Sequence, residues 1–195
     1  MTTSTAAATR NVNGVELPAP GAWVIDPSHS SVEVIARHMV ISKVRGRFDA
    51  FTGTVVVADR PEDSSVELTI DAASISTGDA RRDEHLRNAD FLETGTYPHI
   101  TFKSTSIEPA RKGRWALTGD LTVRDVTRPI TVEVELEGVG SAYGGPRVVF
   151  SAGFDVDREE YGLTWNMALE TGGVLVGRQL RIELNIQAVP GQPAT

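Results

Sequence analysis

Residues 180–187 read Leu-Arg-Ile-Glu-Leu-Asn-Ile-Gln, and residues 130–137 read Ile-Thr-Val-Glu-Val-Glu-Leu-Glu. Apolar and polar residues alternate strictly in both stretches. Successive side chains of a β-strand point to opposite faces, so each stretch has one apolar face and one solvated face. Strands of this kind must bury their apolar faces around a common interior, and what fills that interior decides what the protein does.

The same alternation recurs along most of the chain, and turn residues such as Pro109 and Gly144-Gly145-Pro146 separate several of the segments. Many short alternating strands with regular turns are typical of an all-β sandwich or barrel. The predicted strands are eight in number and lie at 30–38, 44–58, 65–72, 99–108, 114–124, 129–138, 147–156 and 178–189.

Residues 79–88 break the alternation and predict one short helix. The segment contains helix-forming residues, and its acidic residues near the start suit the helix dipole. Thr77 or Asp79 is the expected N-cap. A second short helical turn is predicted at 157–161.

Composition excludes several classes of protein. The chain of 195 residues has no cysteine, which rules out disulfides and thiolate metal sites. Its net charge of −7 argues against nucleic acid as a partner and disfavours an anionic membrane surface, since both require clustered cations. No run of apolar residues is long enough to span a membrane, so we expect no integral membrane segment.

The ends of the sequence differ from its body. Residues 1–21 are rich in Thr and Ala and carry Pro18 and Pro20, and we predict a flexible N-terminal arm. The packed domain is predicted at 22–189, followed by a Pro- and Gly-containing tail at 190–195. The first residues lack the basic and apolar regions of a secretory signal, which predicts a cytoplasmic location. A periplasmic or secreted location would require a signal missing from this sequence.

The interior has two possible fillings. Small residues such as Val34, Ala36, Val132 and Val134 dominate the inward faces, and only 6% of the chain is aromatic. A barrel lined in this way leaves an apolar space that excludes water and suits a hydrocarbon chain. Alternatively, the interior is filled by the large side chains of Phe48, Phe102, Phe150, Phe154 and Trp165.

Few residues point to chemistry. The four histidines lack metal-site spacing, so no metal or other cofactor is predicted. His38 shares the parity of Val34 and is expected to point inward at the mouth of a barrel, where it either contacts a ligand head group or bonds to nearby backbone. Arg82, in the charged run at 81–85, either ties the helix to the barrel rim or meets an anionic head group. The glycines at 138–144 are interpreted as a hairpin loop.

Several motifs in one order resemble a known family. They are Asp26-Pro27-Ser28-His29-Ser30, Arg37-His38, 42–48, 51–54, 73–78, Arg82-Asp83-Glu84-His85-Leu86, Asp90-Phe91, 97–104 and 118–123. Over about residues 22–189 the chain resembles the YceI-like family of bacterial, lipocalin-type, polyisoprenoid-binding proteins. The resemblance implies an extended eight-stranded antiparallel barrel with an apolar tunnel, no catalytic residues, and a homodimer. Tyr161 stands where that family has Phe, which adds a hydroxyl near the interior.

Three functions follow as hypotheses. The first is non-catalytic binding, storage or transport of a long-chain isoprenoid or similar amphiphile, such as a polyprenyl phosphate or a quinone. The expected ligand-binding residues are Val34, Ala36, His38, Phe48, Arg82, Val132, Val134, Phe150 and Tyr161. The second is a lipid-modifying enzyme that uses His38 or Tyr161 as an acid–base. The third is a structural or interaction domain with a filled core.

Overall fold

A computed structural model describes residues 9–39, 41–111, 113–142, 145–170 and 173–191. The described residues are mostly in β-strands. The strands are β1 (Thr9–Val12), β2 (Val15–Pro18), β3 (Gly21–Ile25), β4 (Ser31–His38), β5 (Ser42–Phe48), β6 (Phe51–Val57), β7 (Ser65–Asp71), β8 (Ile75–Ser76), β9 (His99–Arg111), β10 (Arg114–Val123), β11 (Val126–Ala142), β12 (Gly145–Asp157) and β13 (Val176–Pro190). One α-helix, α1, spans Ala80–Arg87, and short 3-10 turns lie at Pro27–His29, Pro61–Asp63, Ala72–Ser74 and Arg158–Tyr161.

Eight antiparallel strands close into a barrel in the order β3, β6, β7, β9, β10, β11, β12 and β13. Pairing of Ala188 in β13 with Ile25 in β3 closes the ring. Closure satisfies the strand edges that an open sheet would leave unpaired. The predicted all-β fold, an eight-stranded antiparallel barrel with one inserted helix, is therefore confirmed.

The wall extends beyond this ring on one side through three further strands, β4, β5 and β8. A 3-10 turn at Pro27–His29 separates β3 from β4, and β13 pairs with β3 through 188–190 and with β4 through 176–185. Strand β5 pairs with β4 and continues into β6, and β8 pairs with β5. The extension lengthens the barrel wall past the end at which α1 lies.

Asp26 stabilises the bend between β3 and β4. Its carboxylate accepts hydrogen bonds from the Ser28 amide and hydroxyl, lies 2.9 Å from Nδ1 of His29, and forms a 2.9 Å ion pair with Arg147 of β12. These partners, Ser28 first, hold the pKa of Asp26 well below its usual range. The bend is therefore cross-linked to a neighbouring strand of the ring.

Helix α1 lies within the segment predicted at 79–88. Asp79 is the N-cap: its carboxylate accepts from the amides of Arg81 and Arg82, 3.0 and 3.1 Å away, which lowers its pKa. At the other end of the helix, Arg87 donates 2.7 Å hydrogen bonds to the carbonyls of Ala73 and Ile75. The helix is thus anchored to the segment around β8. We call this end of the barrel the helix end.

The opposite end carries a hairpin in the segment predicted as a flexible arm. Strands β1 and β2 pair across Asn13-Gly14, both of which have positive φ. Leu17 of β2 is 5% exposed, and the Arg10 side chain donates to the carbonyls of Ala58 and Asp59. Residues 9–18 are therefore ordered against the barrel, at what we call the hairpin end, whereas the division of the chain into arm, domain and tail stays a prediction.

The core consists of two apolar clusters. The one nearer the helix end contains Ile25, Val32, Phe51, Ile70, Ala72, Ile100, Val123, Tyr161 and Leu163. The one nearer the hairpin end contains Trp23, Val55, Val57, Val148 and Ala188. Many other inward residues are only partly buried because the barrel encloses an internal space.

Candidate functional site: an apolar cavity along the barrel

The barrel encloses a cavity of about 500 Å³. At the hairpin end its lining includes Leu17 and Pro18, and at the helix end it includes His38 and Trp165. The cavity therefore runs along the barrel. Its volume lies within the range of about 300–1,000 Å³ that is usual for small-molecule sites.

The wall is almost entirely apolar over most of its length. Strand alternation produces this, because every second residue of each barrel strand faces inward. The inward residues of β11, β12 and β13 that line the cavity are Ile130, Val132, Val134, Leu136, Phe150, Ala152, Phe154, Val156, Leu180, Ile182, Leu184 and Ile186. A space with such a lining stays dry and favours hydrocarbon.

The large side chains of the alternative filled core do not close this space. Phe48, Phe102, Phe150, Phe154 and Trp165 all line the cavity. The Phe102 ring lies next to Gly119 of β10, where a Cβ would come 2.5 Å from the ring. A glycine opposite this ring therefore leaves it room at the wall. These side chains therefore leave an apolar cavity in the interior of the barrel.

Polar lining residues concentrate at the helix end, where Arg82 is held by a network around Thr77. Its guanidinium donates to the hydroxyl of Thr77 at 2.7 Å and to the Thr77 carbonyl at 3.1 Å. Asp83, only 7% exposed, accepts from the amide and hydroxyl of the same threonine at 2.8 and 2.5 Å. Arg82 therefore ties the helix to the rim and still borders the cavity.

Arg158 is a cation buried at the same end. It is 2% exposed and lines the cavity. Its guanidinium donates to three backbone carbonyls, those of Gly177 (3.0 Å), Val176 (3.4 Å) and Leu163. Burial lowers the pKa of Arg158. The side chain thus fastens the loop after the last 3-10 turn to the start of β13.

Three aromatic rings meet beside these cations. His85 lies edge-on to both Phe91 and Trp165, with ring centroids 5.0 and 4.6 Å apart. Its Nε2 is 2.9 Å from a carboxylate oxygen of Asp90. All three rings line the cavity at the end where the polar residues are found.

Tyr161 places a polar atom inside the apolar core. The residue is 2% exposed, and its hydroxyl has no hydrogen-bond partner among the described residues. Burial raises its pKa, so the phenol keeps its proton. The acid–base role of Tyr161 in the enzyme hypothesis stays a prediction.

All nine residues predicted to bind ligand line the cavity. Val34, Ala36 and Phe48 contribute to the wall from β4 and β5, Val132, Val134 and Phe150 from β11 and β12, and His38, Arg82 and Tyr161 lie toward the helix end. The structure brings them to one cavity, and their contact with a ligand stays a prediction.

Within the described ranges, no group of three or more His, Asp or Glu side chains is arranged to hold a metal ion. No helix in that part of the chain is long and apolar enough to cross a membrane.

A model of the YceI-like domain matches residues 23–188. The chain belongs to the YceI-like family. A UPF0312 protein of Staphylococcus aureus strain USA300 is 35% identical over 173 residues, which cover 85% of this chain and 95% of the relative. The family match at 23–188 spans the barrel and begins after both strands of the hairpin.

Solved structures share the YceI-like barrel. BcnA of Burkholderia cenocepacia superimposes with a TM-score of 0.74 at 24% identity, covering 84% of this chain and 98% of BcnA. A polyisoprenoid binding domain from Saccharophagus degradans gives 0.67 at 15% identity, covering 87% and 98%. At these identities the likeness shows the fold.

Sequence reasoning missed two parts of this YceI-like barrel. The Asn13-Gly14 pair, flanked by Val12 and Val15, is a strong signal for a two-residue hairpin and predicts β1 and β2. Arg158 sits in the charged run Asp-Arg-Glu-Glu, which is typical of solvent-exposed surface. No local signal indicates that it is buried.

Proposed function

We propose that the protein binds, stores or transports a long-chain isoprenoid or a similar amphiphile, such as a quinone or a polyprenyl phosphate, without changing it chemically. The observation that carries this is the apolar cavity of about 500 Å³ along the barrel. Each methylene moved from water into such a space contributes about 0.8 kcal/mol. The polyisoprenoid binding domain of Saccharophagus degradans, which shares the fold, supports the same class of ligand.

The polarity of the lining supports one orientation of the ligand. We propose that the hydrocarbon chain lies against Val34, Ala36, Val134 and the other apolar walls, with its tip toward Leu17. The head group lies toward the helix end, near His38 and Arg82, where cationic and hydrogen-bonding side chains border the cavity. An arginine suits an anionic or carbonyl-bearing head group.

Organic extraction of freshly purified protein, followed by mass spectrometry, tests the ligand class. The expected result is a co-purifying long-chain amphiphile, and uptake of a decyl-benzoquinone probe by protein stripped of lipid. The probe should be recovered unchanged after long incubation, as a carrier requires and an enzyme does not. Absence of both lipid and uptake would contradict the proposed function.

A matched pair of variants locates the site. Val134→Trp places a large ring in the cavity, whereas Thr131→Trp adds the same ring to an exposed position of the same strand. We expect Val134→Trp to lose at least about tenfold in probe affinity, a change of about 1.4 kcal/mol. Thr131→Trp should bind like the unaltered protein. Equal binding by the two variants would place the ligand elsewhere.

The proposal includes a homodimer, as the sequence resemblance implies. Light scattering across a range of protein concentrations measures it directly. A monomer at every concentration would refute the dimer and leave the binding proposal intact.

A further inference from the structure

Exposed apolar side chains are concentrated at the helix end. Among the described residues, five large hydrophobic side chains are exposed, and four of them lie on two loops beside this end. Ile41 is 82% exposed and Met167 is 54% exposed, and the other two are Met39 and Val174. Only Val56, on β6, lies apart. Such clustering marks an interaction surface, whereas scattered apolar residues do not.

The two loops form one continuous edge. The turn between β4 and β5 carries Met39, whose amide donates to the carbonyl of Leu175 at 2.8 Å. Leu175 in turn donates to the carbonyl of Met167 at 2.9 Å, and Ala168 pairs with Val174. Residues 38–39, 167–168 and 174–176 therefore lie side by side, and the Ile41 amide donates to the carbonyl of His38 at 3.2 Å. We call this edge, including Ile41, the apolar rim.

Cations flank the apolar rim on the side of the turn between β4 and β5, whereas the loop of Met167 carries the exposed Glu170. Residues 37–47 contain Arg37, Lys43, Arg45 and Arg47 and no acidic residue, in a chain whose net charge is −7. Arg45 and Arg47 form ion pairs with acidic neighbours, whereas Arg37 and Lys43 form none with described residues. The net charge is a sum over the whole surface, but screening by salt limits the distance over which each charge acts to about 10 Å. The acidic total therefore does not exclude a local anionic partner.

The apolar rim adjoins the cavity. His38 and Val176 pair across β4 and β13, and both line the cavity together with Leu175 and Trp165. The same short segments thus form the wall of the cavity at this end and the exposed apolar edge outside it. A molecule leaving the cavity here would pass next to that edge.

We propose that the apolar rim docks onto an anionic lipid bilayer, with Ile41 and Met167 inserted among the acyl chains and Lys43 facing the phosphates. Exposed apolar residues flanked by cations bind anionic membrane surfaces by these two combined contributions. The orientation presents the helix end of the cavity to the bilayer, so that an amphiphile exchanges without crossing bulk water. Only this exchange step rests on the proposed function.

Flotation with vesicles of equal parts phosphatidylcholine and phosphatidylglycerol tests the docking. The double variant Ile41→Ser/Met167→Ser should lose about tenfold or more in bound protein, and Lys43→Gln about threefold. Val56→Ser removes an exposed apolar side chain elsewhere, and Arg60→Gln removes an exposed cation from the other end. Both controls should bind normally. High salt, or vesicles of phosphatidylcholine alone, should weaken binding by the unaltered protein.

Three outcomes would overturn the docking. The first is that the unaltered protein binds neither type of vesicle. The second is that Val56→Ser and the double variant lose vesicle binding equally. The third is that the unaltered protein forms a dimer, does not bind vesicles, and becomes a monomer in the double variant. The last would assign the apolar rim to a second copy of the chain. Uptake of a soluble decyl-benzoquinone probe is measured in parallel, because it reports on the cavity alone. Failure of probe uptake with intact flotation would count against the proposed ligand and leave the docking in place.

Discussion

The two ends of the barrel share one ring of eight strands and finish differently. At the hairpin end, Leu17 and Pro18 line the cavity, and Leu17 is buried. At the helix end, Ile41 and Met167 project from loops that adjoin the cavity. The barrel wall therefore supplies the apolar interior, while the segments attached at each end determine whether apolar surface is buried or exposed to solvent.

Each end is fixed by a different device. The hairpin end is held by an apolar side chain and by arginine–carbonyl bonds from Arg10 to Ala58 and Asp59. Indole Nε1 of Trp23 adds a 3.0 Å bond to the carbonyl of Ala19. The helix end depends on a buried cation, Arg158, under a loop of exposed residues. Substitutions at the two ends should therefore affect stability in different ways.

The largest expected effect is at Arg158. Arg158→Met removes the arginine donor from the carbonyls of Leu163 and Gly177, while the Val176 carbonyl keeps its 2.8 Å bond from Asn166. The substitution should lower the free energy of unfolding by about 3 kcal/mol. Hydrogen exchange of the loop at 163–177 should accelerate beyond the global change. Arg178→Met, at an exposed cation nearby, should cost less than about 1 kcal/mol. An equal loss of unfolding free energy in the two variants would show that the buried Arg158 contributes no more to stability than the exposed Arg178.

The second largest effect on stability is expected at the hairpin end. Leu17→Ala empties a buried apolar position and should lower the free energy of unfolding by about 2 kcal/mol, measured by denaturant titration. Ile41→Ala, at the helix end, should change it by less than about 0.5 kcal/mol because that side chain is exposed. A larger cost at Ile41 than at Leu17 would reverse the contrast between the ends.

A gain of stability is expected at Tyr161. Tyr161→Phe removes a buried hydroxyl that has no partner and keeps the ring, so the free energy of unfolding should rise by about 1 kcal/mol. Thermal unfolding near neutral pH provides the measurement. A loss of stability instead would show that the hydroxyl is bonded, to water or to a bound ligand.

The smallest effect concerns pH and the bend between β3 and β4. Because the pKa of Asp26 is lowered in the folded protein, its contribution is present above its ordinary value of 3.8 and is lost as pH falls toward the folded value. Asp26→Asn should therefore be less stable than the unaltered protein at pH 7, and the gap should narrow in acid. If the difference in unfolding free energy between the two proteins stays constant from neutral to acidic pH, ionisation of Asp26 is not its cause.

Local sequence predicted much of the barrel. Alternation over 130–137 and 180–187 placed the inward residues of β11 and β13 on the correct face, because side-chain direction has a period of two. Asp79 and the residues after it predicted α1 nearly to its ends, since capping is a local interaction.

Other features depend on contacts between distant residues. The buried guanidinium of Arg158 is bonded by carbonyls of the loop and of β13, up to 19 residues away. Its acidic sequence neighbours are typical of an exposed segment. The apolar rim arises because Met39 bonds to Leu175, far along the chain. Local sequence patterns reflect interactions between residues a few positions apart and do not indicate contacts between residues far apart in the chain.

The sequence by itself determined that the strands have one apolar face each, that the inward side chains are mostly aliphatic, and that a helix interrupts the sheet. These are properties of short segments. Only the tertiary structure decided that the ring closes wide enough to leave about 500 Å³ empty, that Leu17 occupies one end, and that apolar loops surround the other. Cavity width and end closure depend on strand register and on packing between distant segments, which no single segment specifies.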